Sequence, residues 1–170
     1  VRDAVGCVTT VTIVITQPTQ LTLTLTPSPV SCNAGTNGSV IASASGGTPG
    51  YQYSINGGPF GGSGNFTGLT AGTYSVTVRD NNNCTFMQTA VVTQPTVLNI
   101  ATATSPNSCA GSVGGLTITP SGGTPAYTYS VDGTTSASTA SGLSSGTHTA
   151  TLMDANGCIR TATFNIGNIP

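Results

Sequence analysis

From residue 21 to residue 26 the chain reads LTLTLT, which puts Leu21, Leu23 and Leu25 on one side of an extended backbone and Thr22, Thr24 and Thr26 on the other. That period of two belongs to a half-buried strand. The same alternation predicts strands over about 39–45, at 51–55 with Tyr51, Tyr53 and Ile55 inward, and near Phe66 and Leu69. It predicts two more at 74–78, with Tyr74, Val76 and Val78 inward, and over about 85–93. Gly, Pro and Asn separate these stretches, and no window carries the 3.6-residue apolar period of a helix. The expectation is an all-β chain of small β-sandwiches, immunoglobulin-like in the broad sense.

The pattern repeats. SGGTPGYQYS at 45–54 returns as SGGTPAYTYS at 121–130, 76 residues on. LTAGTYSVTVRDNNNC at 69–84 returns as LSSGTHTATLMDANGC at 143–158, 74 residues on, and TQPT at 16–19 returns at 93–96, 77 residues on. A unit of about 75 residues accounts for all three shifts, the signature of a tandem array. VRDAVGC at the front matches VRDNNNC (78–84) and LMDANGC (152–158), so three unit endings accompany two beginnings. Residues 1–19 therefore read as the terminal hairpin and strand of a preceding, incomplete repeat, 20–95 as one sandwich and 96–170 as a second. In the first segment Val11, Ile13 and Ile15 would form one face of a last strand. Such a strand needs a cover, supplied by the same chain or by donation to a neighbouring subunit, because an apolar open edge invites uncontrolled pairing.

Within each ending, Asp3, Asp80 and Asp154 stand four residues before a cysteine, and Gly6, Asn83 or Gly157 stands just before it. Asp caps its own turn, while Gly and Asn tolerate a positive φ, so a tight hairpin is expected at all three places.

Composition narrows the function. Only 4% of the residues are charged, against about 25% in an ordinary globular protein. The three basic residues are Arg2, Arg79 and Arg160, and the formal net charge is -1. Nucleic-acid binding, which rests on clustered Lys and Arg, is not expected. Nor is membrane insertion, since no apolar run approaches about 20 residues. The lack of Lys also rules out Lys–Asn isopeptide cross-links. Five cysteines without metal-ligand spacing point to disulfides, and hence to an extracellular or cell-surface location. The expected pairs lie within units, Cys32–Cys84 and Cys109–Cys158, each worth about 4 kcal/mol by loop entropy. Cys7 is left for a cysteine of a preceding repeat.

Little in the sequence suggests a reaction centre. One histidine, His148, stands in the place of Tyr74 and reads as a structural side chain. It cannot supply an acid–base system for both units, so no enzyme and no cofactor are expected. Asp80, Asn81 and Asn82 form the only candidate calcium loop, but one carboxylate falls short of the six to eight oxygens, several of them anionic, that calcium takes. An Asx-stabilised turn is the expected reading there. The tyrosines alternate with the apolar face and read as core rather than as a sugar-stacking platform.

The succession of Cys32, NGSV (37–40), SGGTPGYQYS, LTAGTYSVTVRDNNNC and TQPT resembles the SprB-type repeat, carried in many copies by large surface adhesins of gliding Bacteroidetes and related secreted proteins. The second unit departs from it with GSVGGL in place of NGSV, with His148, and with IGNIP in place of TQPT. The resemblance implies export by the type IX secretion system, a cell-surface or filament setting, and an adhesive or structural role. Three roles are open: a stalk or adhesive segment, a filament subunit assembled by strand donation or lateral packing, and a carbohydrate-binding module. Their partners would be neighbouring repeats, identical subunits and surface polysaccharide respectively.

Overall fold

The computed structural model describes residues 1–108 and 113–169. Its first sandwich contains β1 (Thr22–Ser28), β2 (Gly38–Ser45), β3 (Gln52–Ile55), β4 (Asn65–Leu69), β5 (Gly72–Arg79) and β6 (Thr85–Val92). The second contains β7 (Asn99–Ser105), β8 (Asn107–Ser108), β9 (Gly114–Ser121), β10 (Thr128–Val131), β11 (Thr134–Ser136), β12 (Thr139–Leu143), β13 (Gly146–Met153), β14 (Ile159–Ile166) and β15 (Asn168–Ile169). In the first unit β1-β2-β4 forms one antiparallel sheet and β3-β5-β6 the other. The second repeats this as β7-β9-β12 facing β11-β10-β13-β14, with β8 and β15 forming a short parallel ladder.

Each strand enters its sheet with the face that its alternation assigns. Leu23, Val40 and Ala42 from one sheet, with Leu21 just ahead of β1, meet Val76, Val78, Ala90 and Val92 from the other, and Tyr51, Tyr53, Ile55 and Tyr74 pack around them. Leu116, Ile118, Val131, Ala150, Phe164 and Ile166 form the corresponding core of the second unit. Each fully buried aliphatic side chain contributes about 1.5–3 kcal/mol, so cores this small depend on close packing. Gly38 and Gly114, at the start of β2 and β9, show how close it is. A Cβ on Gly38 would lie 2.6 Å from Val92 Cγ1 and 2.8 Å from the Leu69 carbonyl oxygen, and one on Gly114 would lie 2.5 Å from Ile166 Cγ2.

The strand expected at the end of residues 1–19, with Val11, Ile13 and Ile15 on one face, has a different outcome. Residues 1–8 form the expected turn, with Arg2 bridged to Val8, but residues 9–20 carry no strand. A strand exists only through the ladder it shares with a partner, and these residues have none among the described ones. Ile13 and Ile15 align with Ala90 and Val92 of β6, which are 5% and 1% exposed, yet are themselves 79% and 92% exposed.

At one polar position pair the two units make different side-chain contacts with the same backbone. In the first, Tyr74 Oη donates to the Thr70 carbonyl at 3.0 Å, and Asn56 Oδ1 accepts from Ser75 N at 3.0 Å. In the second, His148 Nε2 lies 2.9 Å from the Ser144 carbonyl and Nδ1 lies 2.6 Å from Asp132 Oδ2, while Asp132 Oδ1 accepts from Thr149 N at 2.8 Å. Tyr with Asn has become His with Asp, and the ring stacks on Phe164. Both ring nitrogens face acceptors, an arrangement that only the doubly protonated imidazole satisfies. The Asp132 carboxylate, then the Ser144 carbonyl, hold His148 above its ordinary pKa. The hydrogen bond from His148 in turn holds Asp132 below its own.

Two outcomes are expected from this packing. Gly38→Ala should cost about 1–3 kcal/mol, the usual penalty for a carbon forced into a packed site, seen as a lower urea midpoint. Gly61→Ala, where an added carbon meets nothing within 4 Å, should leave the midpoint unchanged. The second outcome concerns pH. A raised His148 pKa stabilises the folded unit fully below the unfolded value of 6.5 and loses that contribution as pH rises through the folded value. A lowered Asp132 pKa contributes above the unfolded value of 3.8 and is lost as pH falls through its depressed value. Melting of the second unit should therefore occur at its highest temperature between about pH 4 and 6.5, and should decline on the alkaline side. His148→Tyr should remove that alkaline decline, as followed by calorimetry across the pH range.

Candidate functional site: the joint between the sandwiches

Every sandwich has a receiving end, where the linker arrives, and it is built on one buried carboxylate. Asp80 and Asp154 are each 4% exposed. Asp80 Oδ1 accepts from Asn82 N at 2.9 Å and Cys84 N at 2.8 Å, while Oδ2 accepts from Thr48 N at 2.9 Å. Asp154 repeats the set with Asn156 N, Cys158 N and Thr124 N, each at 2.9 Å. The N–H of Thr48, before those of Cys84 and Asn82, draws the Asp80 pKa below the ordinary carboxylate value. Burial pushes Asp154 up, but the N–H donors of Thr124, Cys158 and Asn156 more than reverse it.

The SGGTP turn closes the receiving end from the other side. Gly46 and Gly122 have φ of 74° and 68°, and a Cβ on either would sit about 2 Å from the carbonyl oxygen of Gln20 or Val97 in the arriving linker. Gly47 N donates to the Thr19 carbonyl at 2.7 Å and Gly123 N to the Thr96 carbonyl at 3.1 Å. Tyr51 and Tyr127 donate to the carbonyls of Gly46 and Gly122 at 2.6 and 2.7 Å. The two glycines thus let the linker backbone lie directly on the turn. Asn83, Gly157 and Gly6 all have the positive φ that their places before a cysteine predict. Asp3 holds the third hairpin in the same way, accepting from Val5 N and Cys7 N.

The opposite end of the first sandwich carries the loop between β1 and β2. Val30 N donates to the Thr93 carbonyl, Asn33 Nδ2 to the Pro95 carbonyl and Ala34 N to Gln94 Oε1, which bind this loop to the departing linker. From there it meets the receiving end of the second sandwich. Asn156 Nδ2 donates to Thr124 Oγ1 in its own unit and to the Ser31 carbonyl across the joint, both at 2.9 Å. Cys32 and Cys158 form a disulfide with Cα atoms 5.7 Å apart. A cleft of about 300 Å³ opens beside it, lined in part by Pro95, Leu98, Ile159 and Arg160.

This disulfide corrects the within-unit pairing. Cys32–Cys84 is not formed, and Cys158 is bonded to Cys32 rather than to Cys109, which itself lies outside the described residues. The reason is the length of one strand. Cys84 immediately precedes β6 and the Cys32 loop packs just beyond its end, so eight residues of strand, about 25 Å, separate them. A disulfide requires Cα atoms within about 7 Å. Cys84 and Cys7 are both free and exposed.

The other candidate residues fall as follows. Asp80 turns both carboxylate oxygens onto N–H groups and the Asn82 amide donates to Thr48 Oγ1, so the loop presents hydrogen-bond donors rather than a converging set of oxygen ligands. Asn81 uses its backbone N–H on the Thr48 carbonyl. Tyr51, Tyr53, Tyr74 and Tyr129 pack against the cores, as their alternation predicts. Val11, Ile13 and Ile15 remain exposed and contribute nothing to the joint. The contacts made by Ser31, Asn33, Gln94 and Asn156 were missed at the sequence level. The only trace of them there is the recurrence of QPT and of Asn two places before the cysteine.

Among curated proteins no match is found. Among solved structures, the three N-terminal domains of the Highly Immunogenic Outer Capsid protein of bacteriophage RB49 align over 88% of this chain and 59% of that one, with a TM-score of 0.51 and 16% identity. The C-terminal 282-residue fragment of intimin, solved with the intimin-binding domain of its translocated receptor, aligns over 89% of this chain and 64% of that one, with a TM-score of 0.44 and 15% identity. The chain thus spans less than two thirds of the length of either. The first of these similarities supports the fold, a tandem of immunoglobulin-like sandwiches. The family model of the SprB repeat matches residues 24–60 and 101–136, each beginning in the first strand of a unit and running past its SGGTP turn. Two segments of the chain, one in each sandwich, thus match the SprB repeat.

Proposed function

We propose that the chain is a non-enzymatic stalk segment of a bacterial surface or extracellular protein, in which stapled sandwiches hold an adhesive region away from its anchorage. The observation that carries this reading is the joint. A disulfide, a cross-unit hydrogen bond from Asn156 and a linker bonded to the Cys32 loop together restrict the hinge on which a passive spacer would otherwise bend. Pro95 adds a fixed φ to that linker. A disulfide in such a place also fits export into an oxidising compartment, for which type IX secretion is the proposed route. The sole histidine, held between Asp132 and Ser144, is engaged in structure, which favours a non-catalytic role. Tyrosines committed to the cores weigh against a sugar-stacking face.

A second reading, assembly by strand donation, is favoured by the exposure of Ile13 and Ile15 at positions whose counterparts are core. The two readings separate in solution. On the stalk reading the 170-residue chain is monomeric by light scattering at micromolar concentration and gives one narrow, extended distribution of distances in small-angle X-ray scattering. Cys158→Ser, or reduction, should broaden that distribution without unfolding either sandwich. An unchanged distribution would remove the disulfide as the stiffening element. Assembly of the intact chain that is lost in Ile13→Asp/Ile15→Asp would give precedence to strand donation.

A further inference from the structure

The first sandwich presents the same receiving end that the second uses. Asp80, Asn82 and Cys84 align with Asp154, Asn156 and Cys158, and their internal hydrogen bonds agree within about 0.1 Å. The arriving linker is the same too. TQPT at 16–19 matches TQPT at 93–96, and Thr19 accepts from Gly47 N as Thr96 does from Gly123 N. What differs is occupancy across the joint. Asn156 uses its second amide hydrogen on the Ser31 carbonyl and Cys158 is bonded to Cys32. Among the described residues Asn82 Nδ2 donates to Thr48 Oγ1 alone, and Cys84 is a free, exposed thiol.

We propose that Asn82 and Cys84 form a docking site for the Ser-Cys-Asn loop of another repeat, namely the one in the same polypeptide that closes with residues 1–15. In it Cys84 forms a disulfide with that loop's cysteine, and Asn82 donates to the carbonyl of the preceding serine. The linkage follows the rule seen at the described joint, from the first cysteine of one unit to the second cysteine of the next, so the disulfides run as a ladder along the array. Cys7, held by Asp3 in the same hairpin, is the receiving cysteine of the unit before. Each rung forms when two thiols lose two protons and two electrons to a disulfide oxidant, which leaves as two thiols. The new bond joins the two sulfur atoms.

The test extends the intact chain by one unit, as residues 1–96 followed by residues 20–170, so that the second copy of the first sandwich has a unit ahead of it. That second copy carries Ser28→Thr and Thr85→Ser, two exposed changes that mark the masses of its Cys32 and Cys84 peptides. The protein is refolded in oxidised and reduced glutathione, its remaining thiols are alkylated, and its peptides are mapped without reduction. The expected result is the marked Cys84 peptide joined to the unmarked Cys32 peptide, and the marked Cys32 peptide joined to that of Cys158. A bond between the two marked peptides, alkylation of the marked Cys84, or a disulfide-linked dimer through Cys84 would each overturn the proposal. The unextended chain, mapped in parallel, must show Cys32–Cys158 with Cys84 alkylated, and failure there would overturn it as well. This outcome is independent of any adhesive role.

Discussion

The carboxylates of Asp80 and Asp154, each buried under a turn and surrounded by backbone N–H groups, fix the end of a sandwich on which everything between units depends. One oxygen holds the hairpin that presents Asn82 and Cys84, or Asn156 and Cys158, and the other reaches the Thr of the SGGTP turn. Two loops from different sheets are thereby locked into one surface, with a double-glycine platform for the arriving linker. A buried carboxylate is costly unless its lone pairs are filled, and here N–H donors fill them and hold both pKa values low. The charge is placed where it organises backbone, in a chain that spends charge almost nowhere else.

Strand length then settles which cysteines can meet. A unit is one long strand in height, so the loop after β1 and the hairpin before β6 lie at opposite ends, beyond the reach of a disulfide. A linker as short as TQPT brings the far end of one unit against the near end of the next. The bond that small disulfide-dependent domains form internally is formed here between neighbours. By loop entropy, Cys32–Cys158, with a sequence separation of 126, is worth about 5 kcal/mol, exerted on docking as much as on folding. Each core must therefore hold its own sandwich together, and substitutions at core-facing glycines are correspondingly costly.

The departures of the second unit follow the same economy of contacts. His148 keeps the backbone carbonyl contact that Tyr74 makes and recruits Asp132 where the first unit has Asn56, so the exchange is paired rather than isolated. The pair adds to the second sandwich an imidazole–carboxylate contact for which its neighbour, with Tyr74 and Asn56 in those places, has no counterpart.

Period-two alternation, turn residues and the recurrence of whole phrases were enough to read the six main strands of a unit, their inward faces, the fold class and the tandem order, because each of these depends on neighbours in sequence, whereas the short strands β8, β11 and β15 were not read. The tight turns before Cys7, Cys84 and Cys158 were legible for the same reason, since an Asp and a residue tolerant of positive φ sit within five positions of one another. Cysteine pairing was not legible, because it depends on which ends of a sandwich face each other, and spacing along the chain carries no record of that direction. The strand expected around Val11, Ile13 and Ile15 likewise has the right pattern and no ladder among the described residues, because a strand is a relation between two segments and the sequence of one cannot supply the other. The residues by themselves determined the units, and only the tertiary structure decided how one unit is fastened to the next.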